Sequence, residues 1–279
     1  MSQQNISLAL AFLQNHPGSA ASILETHEAE DVATFLSEIP HTYAISVMQH
    51  MLPQKIAYSY KHMAPDTAAT TLSRLSVNHG VAVLRLLEKT TQTSVLNALP
   101  KQKQVSYKLL LHYSKDMVGA WMTPHVASVP TESTVQEAID SIKKNADINY
   151  SDYLFVVDRE QQFRGRIRFS ALLCANPTHA VSSIVEEHCP KFYARTLIKQ
   201  ITNAPDWQKN DAIPILNKNR QFIGVLRHFD LRRSIEQSSQ KETSTTDETP
   251  FTSLFQLYGH TLNTLWLSMK HCIESDIRS

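Results

Sequence analysis

Between about Glu28 and Tyr113 the apolar residues recur in short sets that repeat roughly every twelve residues. Val32, Ala33, Leu36 and Ile39 run up to Pro40; Ile45, Met48 and Met51 to Pro53; Ile56, Ala57, Tyr60 and Met63 to Pro65. Ala68, Ala69, Leu72 and Leu75 follow, then Val81, Leu84 and Leu87, then Val95, Leu96 and Leu99 before Pro100. Within a set the i, i+3, i+4 spacing marks one face of a helix of about two to three turns. Proline breaks a helix interior but suits a first turn, so each proline closes one helix and opens the next. Asp66 stands where a first-turn acid meets the positive end of a helix. Helices this short cannot bury their faces alone, whereas stacked neighbours share one core. Two readings are open, an irregular helical superhelix and a compact bundle without true repeats, and the repetition favours the first.

The period changes across YSKDMVGAWMTP, Tyr113 to Pro124. Beyond it a strand is expected at Val126–Pro130 and a helix from Val135 to about Asn145. Ser133 and Thr134 cap that helix, with Glu137 near the capping-box position. Tyr153–Val157 reads as a buried strand ended by Asp158; a polar turn, a strand at Phe163–Phe169 and a helix from Ser170 to about Ala175 follow. Pro177 stops that helix. Val181–Glu187 opens a second run: a helix from about Thr196 to Asn203, a strand at Ala212–Leu216, a turn at Asn217–Arg220, a strand at Phe222–Leu226 and a helix from Phe229 to about Gln237. LFVVDREQQFRGRIRFSALL and IPILNKNRQFIGVLRHFDLR match nearly position by position, with Gly165 and Gly224 in the same place. A strand-turn-strand-helix unit is therefore duplicated at a distance of roughly sixty residues. Ser238–Pro250 is a polar linker. Residues 251–279 read as an amphipathic helix, expected to dock on the chain or on a partner copy, or else to contact a membrane surface or membrane protein.

Composition narrows the classes. A chain of 279 residues accommodates two domains with a core each. A net charge of +1 gives no global pull toward nucleic acid, and only 6 glycines argue against a glycine-rich phosphate loop. The cysteines Cys174, Cys189 and Cys272 are odd in number and form no CxxC pair, so neither a disulfide framework nor a zinc site is indicated. The opening MSQQNISLALAF lacks the marks of a signal peptide, and no run approaches the ~18–20 apolar residues of a membrane span. A cytoplasmic location is expected. The 13 histidines show no HExxH spacing, and no nucleophile or acid-base constellation stands out, so an enzyme is not expected. Trp121, Trp207 and Trp266 read as packing anchors, without the basic stripe that base stacking needs.

The duplicated unit resembles the CBS domain pair, and residues 20 to 237 resemble the cytosolic part of MgtE-type magnesium channels. In that family a superhelix of short helices feeds a CBS pair through a joint worded much like YPEDSAGxLMTP. Here Asp116, Gly119, Met122, Thr123 and Pro124 stand at the matching places. The resemblance implies an α + α/β fold: an N-terminal right-handed superhelix of short helices, a tandem CBS domain pair and a C-terminal amphipathic helix. The corresponding segments are 1–112 for the superhelix, 113–124 for the joint, 125–180 and 181–237 for the CBS units, 238–250 for the linker and 251–279 for the helix. The family's transmembrane bundle has no counterpart here, so ion conduction by this chain alone is not expected.

The resemblance also implies ligands. CBS pairs bind adenine nucleotides between their units, and the family's ribose-holding Asp matches Asp230, with Arg227 where a Ser or Thr is usual. In the first unit Arg168 and Ala171 stand at those two places. Arg168, Arg227 and His228 are expected to pair with the phosphates of ATP or AMP, the other reading being that the arginines are solvated or pair with local acids. MgtE-type sensors bind Mg2+ through carboxylates, and Asp116, Asp158 and Asp230 fit, while Asn217 replaces an acid at the second strand end and Lys115 stands where an acid is usual. In the superhelix Glu25, Glu28, Glu30, Asp31, Glu38, Asp66 and Glu88 are offset by eight lysines and arginines, leaving less repulsion for magnesium to relieve. Asp116 and Asp158 also read as turn caps. The expected function is a soluble regulatory or sensor protein, homodimeric through its CBS pair, that binds Mg2+ and/or an adenine nucleotide and closes the superhelix on the pair. The alternative is a ligand-independent adaptor that docks a membrane protein through the superhelix and residues 251–279, peripheral to the inner face of the membrane. No nucleic acid partner is expected.

Overall fold

The residues before Pro40, Pro53, Pro65 and Pro100 are all extended, with ψ of 153° at Ile39, 135° at Leu52, 138° at Ala64 and 153° at Leu99. A proline ring crowds helical backbone out of the preceding residue, so each helix stops there and the next begins at or just after the ring. The computed structural model describes residues 10–124, 126–144 and 152–239. The chain divides into two compact units between Lys103 and Gln104. The expected linker from 240 onward and the helix at 251–279, Trp266 and Cys272 included, lie outside the described residues.

The first unit contains α1 (Pro17–Leu24), α2 (Ala29–Glu38), α3 (His41–Met48), α4 (Pro53–Tyr60), α5 (Pro65–Arg74), α6 (Val77–Leu84) and α7 (Lys89–Ala98), after a helical segment at 10–15. Each helix packs on the next but one: α1 on α3, α2 on α4, α3 on α5, α4 on α6 and α5 on α7. That is a stack rather than a bundle, as the repeating period predicts. The apolar sets form its core, with Leu36, Met48, Ile56, Leu72 and Leu84 fully buried. Polar links tie helices of the stack. The Tyr60 and Thr71 hydroxyls meet at 2.9 Å, and the Glu25 carboxylate accepts from Leu52 N at 2.5 Å, satisfying a donor at the start of α4.

The second unit begins within α8 (Lys101–Leu111). Its strands are β1 (Thr123–Pro124), β2 (Ser128–Pro130), β3 (Tyr153–Val157), β4 (Phe163–Arg168), β5 (Phe192–Tyr193), β6 (Ala212–Leu216) and β7 (Phe222–Arg227). Its helices are α9 (Val135–Lys144), α10 (Phe169–Cys174), α11 (Ile198–Ile201) and α12 (His228–Ser239). Strands order as β2-β3-β4 in one sheet and β1-β7-β6-β5 in the other. Helix α9 opens on a reciprocal cap: Glu137 N donates to Thr134 Oγ1 at 3.2 Å and Thr134 N donates to Glu137 Oε2 at 2.8 Å. Thr134→Ala is expected to cost about 1 kcal/mol of unfolding free energy in a urea titration. Helix α11 is shorter than the pattern suggests. Leu197 bridges to Met117 at one end, and Pro205 opens a separate 3₁₀ turn beyond the other.

The duplication is structural to the level of single residues. In each hairpin the glycine faces the same strand position, Gly165 opposite Val156 and Gly224 opposite Ile215, and an irregularity follows one residue later. Each turn holds one side chain in left-handed backbone, Gln161 at φ 62° and Arg220 at φ 60°. The two turns pair with each other, Phe163 N donating to Arg220 O and Phe222 N to Gln161 O. Phe155 stacks on Phe222 at 4.9 Å between the copies.

The joint is a strand of the wrong copy. Although it leads into the first copy, β1 pairs antiparallel with β7 of the second. Val118 N and Gly119 N donate to Thr196 O and Ala194 O, and Ile198 N donates to Asp116 O. Val118 and Met122 are fully buried, and Trp121 donates its indole N–H to Lys115 O at 2.7 Å. The second copy returns the exchange, since Glu186 bridges to Arg166 of β4. The joint is therefore fastened along most of its length.

Candidate ligand-binding site

Arg168 and Arg227 end β4 and β7 at equivalent positions, facing Tyr153 and Ala212 in register. Their surroundings differ. Arg227 Nε donates to Asp230 Oδ2 at 2.7 Å and Nη2 to Oδ1 at 3.3 Å, a two-pronged pair across the β7–α12 turn. The Asp230 residue is only 2% exposed. His228, between them in sequence, stacks on Trp207 with ring centroids 5.2 Å apart and 13° between planes. Trp207 is itself anchored by its indole N–H on Ile201 O at 2.8 Å. Asp230, Arg227 and His228 thus come together on one strand-to-helix turn, while Arg168 occupies the matching turn of the first copy. There, with Ala171 in place of the acid, Arg168 lies over the Tyr153 ring at 5.4 Å.

The three carboxylates matched to magnesium are not gathered. Among the described residues no group of three or more His, Cys, Asp or Glu is placed to hold a metal ion. Asp158 caps its own turn: Oδ1 accepts from Glu160 N and Gln162 N, both at 2.9 Å, and Oδ2 takes the Arg164 guanidinium at 2.7 Å. Desolvation pushes its carboxyl up, but the bonds from Gln162 N, Arg164 and Glu160 N outweigh it and hold the carboxyl below the ordinary range. Asn217 does the same in the second copy, its Oδ1 accepting from Asn219 N and Gln221 N at 2.8 and 3.0 Å. An amide oxygen serves the turn as well as a carboxylate does, so the acid-to-amide change leaves the hairpin intact. Asp116 is exposed, its carboxyl lowered first by a hydrogen bond from Ser114 and less by Lys199. Asp230 is committed to Arg227. These carboxylates do not make the hard, open oxygen cluster that magnesium takes from a protein.

A charged group that pattern reading missed sits deeper. Arg166 is 3% exposed, donates Nε to Glu186 Oε2 at 3.0 Å and Nη2 to Oε1 at 3.2 Å, gives Nη1 to Asn210 Oδ1 at 2.7 Å, and lies over the Tyr153 ring at 4.0 Å. It rivets β4 to the segment crossing it and to the approach to β6. The alternation Arg164, Arg166, Arg168 along FRGRIR reads as a solvated face, and only the return of Glu186 across Gly165 turns its middle member inward.

Comparison with known proteins places these units. Residues 15–116 match the MgtE intracellular N domain, and residues 118–176 match the CBS domain. The chain is 24% identical over 125 residues to the magnesium transporter MgtE of Bacillus subtilis strain 168, and 26% identical over 137 residues to that of Thermus thermophilus. Those matches span 44% and 48% of this chain, and 28% and 30% of the two transporters. The fold is that of the cytosolic domain of the Mg2+ channel MgtE solved in complex with ATP, with a TM-score of 0.69 at 20% identity, covering 80% of this chain and 92% of that one. The soluble part of a magnesium transporter overlays with a TM-score of 0.60 at 19% identity, covering 85% and 99%. Among the described residues no helix is long and apolar enough to cross a membrane.

Proposed function

We propose that this chain, in which an MgtE intracellular N domain leads into a pair of CBS units, is a non-catalytic regulatory module that takes up an adenine nucleotide at the β7–α12 turn. The Arg227–Asp230 pair carries the reading. A carboxylate and a guanidinium are the two groups that a ribose diol and a phosphate recruit, and here they hold each other at 2.7 Å. Binding exchanges one internal pair for two bonds to the ligand, so affinity is reduced by the cost of opening that pair. Arg168 supplies a further cationic contact to the phosphates, and His228 a ring N–H. The similar MgtE domain solved with ATP supports the ligand class, which here includes ATP and AMP.

Leu173 on α10 and Phe229 on α12 are 73% and 67% exposed on the two matching helices, which supports a homodimer formed through the CBS pair. The module then acts on the cytoplasmic side, its output received by a membrane protein.

Calorimetric titration with ATP and AMP, each with and without Mg2+, tests the reading. Wild type is expected to bind nucleotide, and Asp230→Asn to bind it about tenfold or more weakly. Equal affinity in the two proteins sinks the site. Heat from Mg2+ without nucleotide supports ion sensing instead. Silence for both ligands leaves the adaptor reading, which a pull-down with and without residues 251–279 then decides.

A further inference from the structure

β5 and β6 run parallel, Phe192 beside Ile215 and Tyr193 beside Leu216, and both end at one cavity of about 560 Å³. Carboxyl ends of neighbouring parallel strands are where α/β sheets place ligands, and the volume suits a small molecule. His112 and Tyr113, just past α8, form part of the wall. Arg195, Lys218 and Arg220 line the same cavity, and among the described residues no Asp or Glu does. None of these three cations forms an ion pair among the described residues.

The first copy provides the internal control. Its turn, Asp158 to Gln161, has the same backbone as Asn217 to Arg220, left-handed residue included. There the charges are balanced: Arg159 meets Glu132 at 3.2 Å, and Arg164 meets Asp158 at 2.7 Å. In the second copy Asn217 stands in place of Asp158 and Arg195 in place of Glu132, while Lys218 and Arg220 line the cavity. Arg195 adds a third positive charge from the other strand. Its charge also opposes the upward push that burial gives the Tyr113 phenol, which sets it beside that ring. Like charges around one concavity repel, and an anion relieves all three at once.

We infer that this cleft binds a phosphate-bearing anion carrying more than one charge, with Arg195 and Arg220 as forked partners, Lys218 as a point charge and the half-exposed Tyr193 ring as the wall for whatever bears the phosphate. The site is separate from the β7–α12 turn and does not depend on it. The anion is either free polyphosphate or the phosphate chain of a nucleotide.

The full chain is titrated calorimetrically with inorganic triphosphate and, in a parallel arm, with ATP. Wild type is expected to bind triphosphate, more weakly as salt is raised, and the Arg195→Gln/Arg220→Gln variant to bind it about tenfold or more weakly. Glutamine is tolerated at position 220, because Gln161 holds the equivalent backbone at φ 62°. A circular dichroism melt checks that the variant is folded. Triphosphate that fails to bind wild type at millimolar concentration, or binds the variant equally well, overturns the inference. ATP weakened by the double variant and not by Asp230→Asn places the nucleotide in this cleft, so that the β7–α12 site fails and this one stands. Triphosphate silent in every protein, with ATP weakened only by Asp230→Asn, overturns the cleft and leaves the β7–α12 turn as the nucleotide site.

Discussion

Gly165→Ala is expected to destabilise the second unit by about 3 kcal/mol, seen as a lower urea midpoint at an unchanged slope. Two effects add. Gly165 has φ of +152°, a backbone that side-chain-bearing residues rarely adopt. A Cβ there would also run into Val185 Cγ1 and come within 2.7 Å of the Glu186 carbonyl oxygen. That carbonyl cannot step aside, because Arg166 and Glu186 exchange backbone hydrogen bonds of 3.2 and 2.8 Å at this crossing. Gly18→Ala is the matching control. Its Cβ would meet nothing closer than His50 Cδ2 at 3.6 Å, and alanine is the better helix former, so a small gain is expected. A Gly165→Ala protein as stable as wild type would mean that the Glu186 segment is free to lift away.

Glu186→Leu is expected to cost about 3 kcal/mol, and Arg166→Leu distinctly less. The asymmetry follows from where the two charges sit. The Arg166 side chain is 4% exposed and that of Glu186 45%. Without Glu186, a guanidinium stays buried against Asn210 and the Tyr153 ring with no carboxylate to balance it. Without Arg166, the carboxylate turns to water and a leucine fills apolar space near Tyr153. Urea titration of both variants beside wild type measures the order. The reverse order would show that the guanidinium keeps its hydration once Glu186 is gone.

How much of this was legible in the sequence depended on the distance over which each feature is determined. The helix stack was readable because Leu36, Met48, Ile56 and Leu72 recur at helical spacing and Pro40, Pro53 and Pro65 punctuate them within a few residues. The hairpin duplication was readable for the same reason, down to Gly165 and Gly224. The Arg227–Asp230 contact, three residues apart, was one of two readings open for the arginines, as was turn capping for Asp158. Arg166 was not readable, because its burial depends on Glu186 arriving from twenty residues away. Nor was the cleft, whose charges come from the ends of β5 and β6 and whose wall includes the end of α8. The joint misled in the same way. Its wording marked a boundary, but nothing local says that Thr123 and Pro124 add to the sheet of the later copy.

That crossing decides how this half of the molecule can be cut. A fragment made of residues 118–176 alone would carry β1 without β7, with a bare strand edge, and would lack the Glu186 chain that covers Gly165. A fragment holding only the later copy would lose the outermost strand of its sheet. Neither repeat is a module in the sense of something that can be lifted out and expressed. The smallest exchangeable piece runs from the joint through α12, and a gene fusion or chimera that swaps one repeat must carry Thr123 and Pro124 along with the repeat they follow in space, not the one they precede in the chain.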